Sequence, residues 1–192
     1  MKLACLVTAA GSGSRFGRDK LLLPIDGQPM GVRALSVFSE AAFDLRVLIT
    51  SADKGYMMEA AGSMGFDLVL NPAPEQGMSV SIRLGTAHIL SSGAYDGILY
   101  AVADQPHLSA DTVNRLTKAF QKEPGYIWAP VADGRRGNPV IFPASLFTEL
   151  LQVTGDRGGR QVIAAHRELL RTIAASPEEL RDIDTKEDMQ TC

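Results

Sequence analysis

The chain has 192 residues and a mass of 20.6 kDa, and 45% of its residues are hydrophobic and 21% charged. These proportions are ordinary for a globular protein and exclude disorder as a description of the whole chain. Nineteen basic residues against 22 acidic ones give a net charge of −3. Because no overall positive field exists to attract a polyanion, we expect no nucleic-acid partner.

The cysteines and the apolar segments indicate the cellular compartment of the protein. Cys5 and Cys192 lie near opposite ends of the chain and form neither a CxxC motif nor a disulfide framework. No apolar stretch reaches the roughly 18 residues that a membrane-spanning helix needs. The short apolar run at the N-terminus ends in a glycine-rich loop. We therefore expect a soluble, cytoplasmic protein without a membrane partner.

Short apolar segments alternate with segments of helical periodicity along the chain. Strands are predicted at residues 3–9, 45–50, 66–70, 97–103, 126–131 and 139–142, with an edge strand at 170–173. Helices are predicted at residues 29–42, 53–64, 78–90, 110–121, 144–152 and 159–166. This alternation predicts one α/β domain over residues 1–192, a three-layer α/β/α Rossmann-like fold with a mainly parallel sheet. Ligands of such sheets bind beyond the carboxyl ends of the strands.

A loop rich in glycine, serine and basic residues follows the first predicted strand, with the sequence TAAGSGSRFGRDK over residues 8–20. Glycines let backbone N–H groups converge on an anion, and Arg15, Arg18 and Lys20 add positive charge. The dinucleotide fingerprint needs glycine where Phe16 stands, and the P-loop needs lysine directly after Gly17. The loop is therefore a phosphate-binding loop of another kind or a glycine turn without a ligand.

The pattern TAAGSGSRFGRDKLLLPIDGQP resembles the signature of the MobA-like nucleotidyltransferases, approximately LAAGxxxR[FM]GxxKxLxxxxGxP. Further matching segments follow in order over nearly the whole chain: Asn71, GMSVSIRLG at 77–85, DQP at 104–106, RGNP at 136–139, GDRGGR at 155–160 and DIDTKED at 182–188. Within this family, the pattern is most similar to the molybdenum cofactor cytidylyltransferases. The resemblance implies transfer of a nucleotidyl group from CTP to the phosphate of molybdopterin, with release of pyrophosphate.

The same resemblance assigns roles to individual residues. The implied catalytic residues are Lys20, Arg15 and Asp104, with Lys20 best placed to stabilise charge that develops in the transition state. The implied nucleotide-binding residues are Ala9, Ala10, Gly11, Ser12, Gly13, Ser14, Arg15, Lys20, Asn71, Ser81 and Asp104. A simpler reading remains for Ser81, which lies where a helix is predicted to start.

Two aspartates are the expected metal ligands. Asp104 directly follows an apolar strand, and the resemblance assigns it, with Asp184, to a Mg²⁺ ion. Mg²⁺ in proteins is held by one or two carboxylates together with substrate phosphates. Asp184 is preferred over Asp182 because it stands immediately before Thr185. The alternatives are that Asp104 caps the following turn and that Asp184 caps a helix.

The choice of base and acceptor depends on smaller features. Guanylyl-transferring members usually carry two glycines where this chain has Ala10-Gly11, and the added methyl group favours CTP. By resemblance, the basic loops at 135–136 and 155–160 line the side where molybdopterin enters, although solvated surface charge explains them too. We expect the product to pass to a molybdoenzyme or its chaperone through a transient contact.

Other functions remain open from the sequence. One alternative is a GTP-dependent molybdopterin guanylyltransferase, and another is a nucleotidyltransferase that acts on a sugar phosphate or methylerythritol phosphate. A nucleotide-binding module without turnover and a flavodoxin-like or NAD-binding protein are the remaining ones.

Overall fold

A computed structural model gives the fold and describes residues 1–11 and 19–183. The strands are β1 Leu3–Thr8, β2 Pro24–Ile25, β3 Gln28–Pro29, β4 Leu45–Thr50, β5 Asp67–Leu70, β6 Gly97–Val102, β7 Ile127–Ala132, β8 Arg135–Arg136, β9 Val140–Pro143 and β10 Leu170–Ala174. The helices are α1 Met30–Ser39, α2 Gly55–Ser63, α3 Met78–Ser92, α4 Ala110–Lys122, α5 Phe147–Leu150 and α6 Arg160–Ala165. A short 3₁₀ turn at Lys20–Leu22 lies between β1 and β2.

The main sheet is mostly parallel, as predicted. Its strands run in the order β10-β7-β9-β6-β1-β4-β5, and β8 pairs with β7. β1 lies near the middle and pairs in parallel with both β4 and β6. β9 is antiparallel to β6 and β7. The carboxyl ends of β1, β4 and β6 therefore meet at one edge of the sheet.

Apolar side chains cover both faces of this sheet, and β1 shows how. Leu3, Cys5 and Val7 belong to one buried layer, whereas Ala4 and Leu6 belong to the other. Successive residues of a strand point to opposite faces, so a strand covered on both sides must be apolar throughout. Burial raises the pKa of the Cys5 thiol, which keeps it protonated as a packing residue. The predicted α/β/α layering is confirmed.

The predicted strands at 126–131 and 139–142 are β7 and β9, which pair antiparallel, with β9 lying between β6 and β7. Elsewhere the structure differs from the expected elements. The predicted helix at 144–152 is a 3₁₀ turn followed by the single turn of α5. The small β2–β3 hairpin was not predicted, although its turn residues Asp26 and Gly27, both at positive φ, are a common hairpin signal.

No helix within the described ranges combines the length and apolar character that crossing a bilayer requires.

Close packing of α4 against β6 predicts that substitution of one glycine destabilises the fold. A Cβ at Gly97 in β6 would lie 2.5 Å from Cζ of the Phe120 ring and 3.0 Å from Leu3 Cδ2. We expect Gly97→Ala to lower the free energy of unfolding by about 1–3 kcal/mol, because overpacking forces the core to shift. Urea denaturation measures this change.

The matched control is Gly62→Ala in α2, where an added Cβ meets nothing within 4 Å. This variant should be neutral or more stable by up to about 1 kcal/mol, since alanine favours a helix. Equal stability of Gly97→Ala and the unsubstituted protein would contradict the packing described for β6.

Candidate active site

The site lies where the central strands end. The ladder continues beyond β1 and β6, since the Ala103 amide donates to the Thr8 carbonyl at 3.1 Å and the Ala9 amide to the Ile49 carbonyl at 2.7 Å. These bonds bring the segments after the strands together at the rim of a cleft of about 420 Å³. Its lining includes Thr8, Ala9, Ala10, Gly11, Lys20, Leu21, Pro74, Glu75, Gly77, Met78, Ser81, Val102, Ala103, Asp104 and Asp156.

An ion pair spans the cleft. Nζ of Lys20, carried by the 3₁₀ turn after the glycine-rich loop, lies 2.7 Å from Oδ2 of Asp104. Their side chains are 17% and 22% exposed, so both groups are partly desolvated yet face the cleft. A cation and a carboxylate at the end of parallel strands can bind a phosphate chain and its counter-ion.

The second oxygen of Asp104 fits a metal ligand. Oδ1 is buried and has no hydrogen-bond partner in the described part of the chain. A buried carboxylate oxygen without a partner is costly, and coordination by Mg²⁺ would satisfy it. The amide of Ile183, the last described residue, donates to the Asp104 carbonyl at 3.1 Å. Within the described ranges, Asp104 therefore offers one carboxylate oxygen that fits a divalent cation.

Several predicted residues fall outside the described ranges. They are Ser12, Gly13, Ser14, Arg15 and Asp184. Within residues 1–11 and 19–183, no group of three or more His, Cys, Asp or Glu side chains forms a complete metal site.

Asn71 and Ser81 lie together at one side of the cleft. Nδ2 of Asn71 donates to Oγ of Ser81 at 3.0 Å, and Oδ1 of Asn71 accepts from the Ala73 amide at 2.9 Å. Asn71 is 2% exposed, whereas Ser81 contributes to the cleft lining. In this arrangement Asn71 orients Ser81 and holds the chain after β5.

A partly buried cluster around Lys54, which sequence reasoning missed, contacts Gly11 and Asp19. Nζ of Lys54, just after β4, contacts the Gly11 carbonyl at 2.9 Å and Oδ1 of Asp19 at 2.8 Å. The Tyr56 hydroxyl donates to Oδ2 of Asp19 at 2.7 Å. Burial and the hydrogen bond to Asp19 raise the pKa of Tyr56, so its hydroxyl remains a donor. The position of Lys54 just beyond a predicted strand end was the available signal.

A second cavity of about 180 Å³ adjoins the cleft, and Thr8, Met78 and Asp156 line both. Its walls include the rings of Tyr100 and Phe142, which pack edge to face. Its basic residues are Arg136, Arg157 and Arg160, from the two loops expected to line the acceptor side.

The arginines make this second cavity electropositive. Burial and the neighbouring Arg160 both lower the pKa of Arg136, although a guanidinium remains charged at neutral pH. An anionic or electron-rich ligand would relieve the repulsion between these two groups.

Gly77 allows the loop carrying Asp156 to approach α3. Its φ of 93° suits glycine, and a Cβ there would overlap the Asp156 carboxylate. Asp156 therefore lines both cavities.

Comparisons with known proteins show which family the chain resembles. The family model for the MobA-like NTP transferase domain matches residues 5–169. The chain is 28% identical over 190 residues to purine catabolism protein PucB of Bacillus subtilis, covering 94% of this chain and 90% of that protein. It is 30% identical over 194 residues to nicotine blue oxidoreductase of Paenarthrobacter nicotinovorans, covering 96% and 93%. It is also 30% identical over 172 residues to the molybdenum cofactor guanylyltransferase of Cupriavidus metallidurans, covering 84% and 80%.

Solved structures share the fold. The crystal structure of Rv0371c from Mycobacterium tuberculosis superimposes with a TM-score of 0.86 at 26% identity, covering 100% of this chain and 96% of that one. A nucleotidyl transferase from Methanothermobacter thermautotroptrophicus gives a TM-score of 0.79 at 24% identity, covering 99% and 95%. The chain therefore belongs to the family of MobA-like NTP transferases and is a nucleotidyltransferase.

Proposed function

We propose that this enzyme transfers a cytidylyl group from CTP to the terminal phosphate of molybdopterin, forming molybdopterin cytosine dinucleotide and releasing pyrophosphate. The observation that carries the proposal is the Lys20–Asp104 pair, at 2.7 Å, across a cleft that begins at the glycine-rich loop. The proposal also rests on the family membership of the chain.

The donor nucleotide is proposed to lie along the cleft. Its phosphates contact the amides that follow β1 and the Lys20 ammonium, while Ser81 contacts the nucleoside. Lys20 shifts part of its interaction from Asp104 to the phosphate chain as negative charge builds on the leaving pyrophosphate. Because the reaction needs no covalent intermediate, alignment and charge neutralisation are the main tasks of the protein.

Asp104 and Asp184 are the proposed ligands of Mg²⁺. When bound, the ion neutralises charge on the phosphate oxygens. Oδ1 of Asp104, which has no hydrogen-bond partner among the described residues, supports this assignment. The structure of Rv0371C from Mycobacterium tuberculosis is a complex with manganese. It shares the fold of this chain with a TM-score of 0.82 at 24% identity, a similarity that establishes the fold and no more.

The acceptor is proposed to occupy the second cavity, with its phosphate directed towards Lys20. Molybdopterin is an anionic, partly aromatic molecule, and Tyr100, Phe142 and the arginine side chains offer matching surfaces. The name of the Cupriavidus metallidurans relative supports molybdopterin as the acceptor. Delivery of the product to a molybdoenzyme or its chaperone is part of the same proposal.

GTP is the second candidate donor, since several relatives are named molybdenum cofactor guanylyltransferase. The residue that favours CTP is Ala10, which lines the cleft and is 3% exposed. Its methyl group narrows the cleft beside Gly11. The cleft is open at Gly11 itself, since an added Cβ there would meet nothing within 4 Å. Pyrophosphate release, measured for each nucleoside triphosphate with and without molybdopterin, tests both candidates.

Removing the cleft carboxylate should abolish most of the activity. We expect Asp104→Ala to lower turnover by at least about 10²-fold, the usual effect of losing a key electrostatic group. The measurement is acceptor-dependent pyrophosphate release at saturating nucleotide. The control is Asp111→Ala, an exposed carboxylate on α4 that is ion-paired only with Arg115 among described residues. Near-normal turnover of Asp104→Ala would remove Asp104 from the mechanism.

Ala10→Gly tests the choice of base. Removal of the methyl group should shift the kcat/KM ratio of CTP to GTP towards GTP by about 10-fold, within the range for a methylene-sized misfit. Ala9→Gly is the matched control, because Ala9 is equally buried and lines the same cleft but packs into the opposite apolar layer. A shift of the same size in both variants, or in neither, would show that Ala10 does not select the base.

A further inference from the structure

Lys54 is a buried lysine that takes no direct part in the proposed chemistry. It is 2% exposed, and it lies in the loop between β4 and α2, outside the cleft lining. Burying an ammonium group is costly unless charged and polar partners compensate it. The structure supplies two such partners, the Gly11 carbonyl at 2.9 Å and Oδ1 of Asp19 at 2.8 Å.

The two partners of Lys54 flank the glycine-rich loop. Gly11 immediately precedes residues 12–18, and Asp19 immediately follows them. One ammonium group thus joins the start and the end of the segment that carries the proposed phosphate-binding amides. The separation of the loop ends is thereby fixed from behind the cleft.

Asp19 extends this link to Lys20. Its Oδ1 also accepts from the Leu21 amide at 3.1 Å, capping the 3₁₀ turn that carries Lys20. Oδ2 of Asp19 accepts from the Tyr56 hydroxyl at 2.7 Å. From Lys54, a continuous series of contacts therefore runs through Asp19 and the capped turn to the Lys20–Asp104 pair.

We infer that Lys54 is a positioning residue, which sets the spacing of the phosphate-loop ends and the orientation of Lys20 by bridging Gly11 and Asp19. This inference rests on the proposed nucleotide site but not on the identity of the acceptor. The bond to the Gly11 carbonyl and the ion pair with Asp19 together tie one cation to both ends of segment 12–18.

Lys54→Met removes both bonds while keeping most of the side-chain volume. We expect the Kd for CTP and GTP, measured by calorimetry without acceptor, to rise by about 10-fold or more, the effect of losing a charged hydrogen bond. The Kd for CMP should rise less, since CMP lacks the β- and γ-phosphates. Tyr56→Phe, which removes one neutral donor to Asp19, should raise the Kd for the triphosphates by about 3-fold, and it serves as the test if Lys54→Met does not fold.

The double variant Lys54→Met/Lys20→Met distinguishes positioning from stability. If Lys54 acts through Lys20, the two losses of affinity should not add, because a double-mutant cycle reports coupling between linked residues.

Arg46→Met is the matched control. Arg46 is a half-buried cation bonded to the Phe38, Ser39 and Ala41 carbonyls at the amino end of β4. Its removal should lower the melting temperature without changing the nucleotide Kd. A folded Lys54→Met protein that binds CTP and GTP as the unsubstituted chain does, or fully additive losses in the double variant, would overturn the inference.

These outcomes separate the two proposals. An enzyme that binds nucleotide through Lys54 but forms no dinucleotide with molybdopterin contradicts the proposed acceptor and leaves the positioning role intact. An enzyme that forms the dinucleotide equally well with and without Lys54 contradicts the positioning role alone.

Discussion

The ion pair between Lys20 and Asp104 joins the two segments that leave the centre of the sheet, and the proposed chemistry depends on this meeting. β1 and β6 run parallel in register, with Thr8 opposite Val102, so the residues that follow them reach the same edge together. Both strands are apolar and covered on both faces, which places them in the interior of the sheet. The core therefore determines where the cation and the carboxylate meet.

The side chains of the pair are 17% and 22% exposed, so each is partly desolvated but still reached from the cleft. In the proposed mechanism Lys20 exchanges part of its contact with Asp104 for a phosphate chain. Oδ1 of Asp104, which has no hydrogen-bond partner among the described residues, is the proposed contact of the cation. Lys54 differs because its own side chain is only 3% exposed, although that of its partner Asp19 is 18% exposed.

Sequence patterns predicted the parts of the molecule that depend on local periodicity. The strand at 45–50 has the predicted bounds, and the helix predicted at 110–121 is α4, Ala110–Lys122. The glycine-rich loop and Asp104 stand out in the sequence because each follows an apolar strand directly. The roles of Lys20 and Asp104 come from the family resemblance and stay predictions. The family assignment is confirmed by the match over residues 5–169.

The contacts that sequence reasoning missed join residues far apart in the chain. Lys54 and Gly11 are 43 positions apart, and no periodic pattern indicates which charged residue crosses from one strand end to the next. The position of β9 between β6 and β7 likewise depends on which strands pair, and strand pairing cannot be read from the composition of a single strand. The bond from Asn71 to Ser81 spans ten positions and is not visible as a sequence pattern, and the implied role of Asn71 in nucleotide binding stays a prediction.

A crystal structure of the enzyme soaked with CTP and Mn²⁺ tests the central claim most directly. The account predicts that the triphosphate lies in the cleft beside Gly11, with a phosphate oxygen within hydrogen-bond distance of Lys20 Nζ and the metal ion on the Asp104 carboxylate. Nucleotide bound elsewhere, with Lys20 and Asp104 still paired to each other and touching no part of it, would contradict the account.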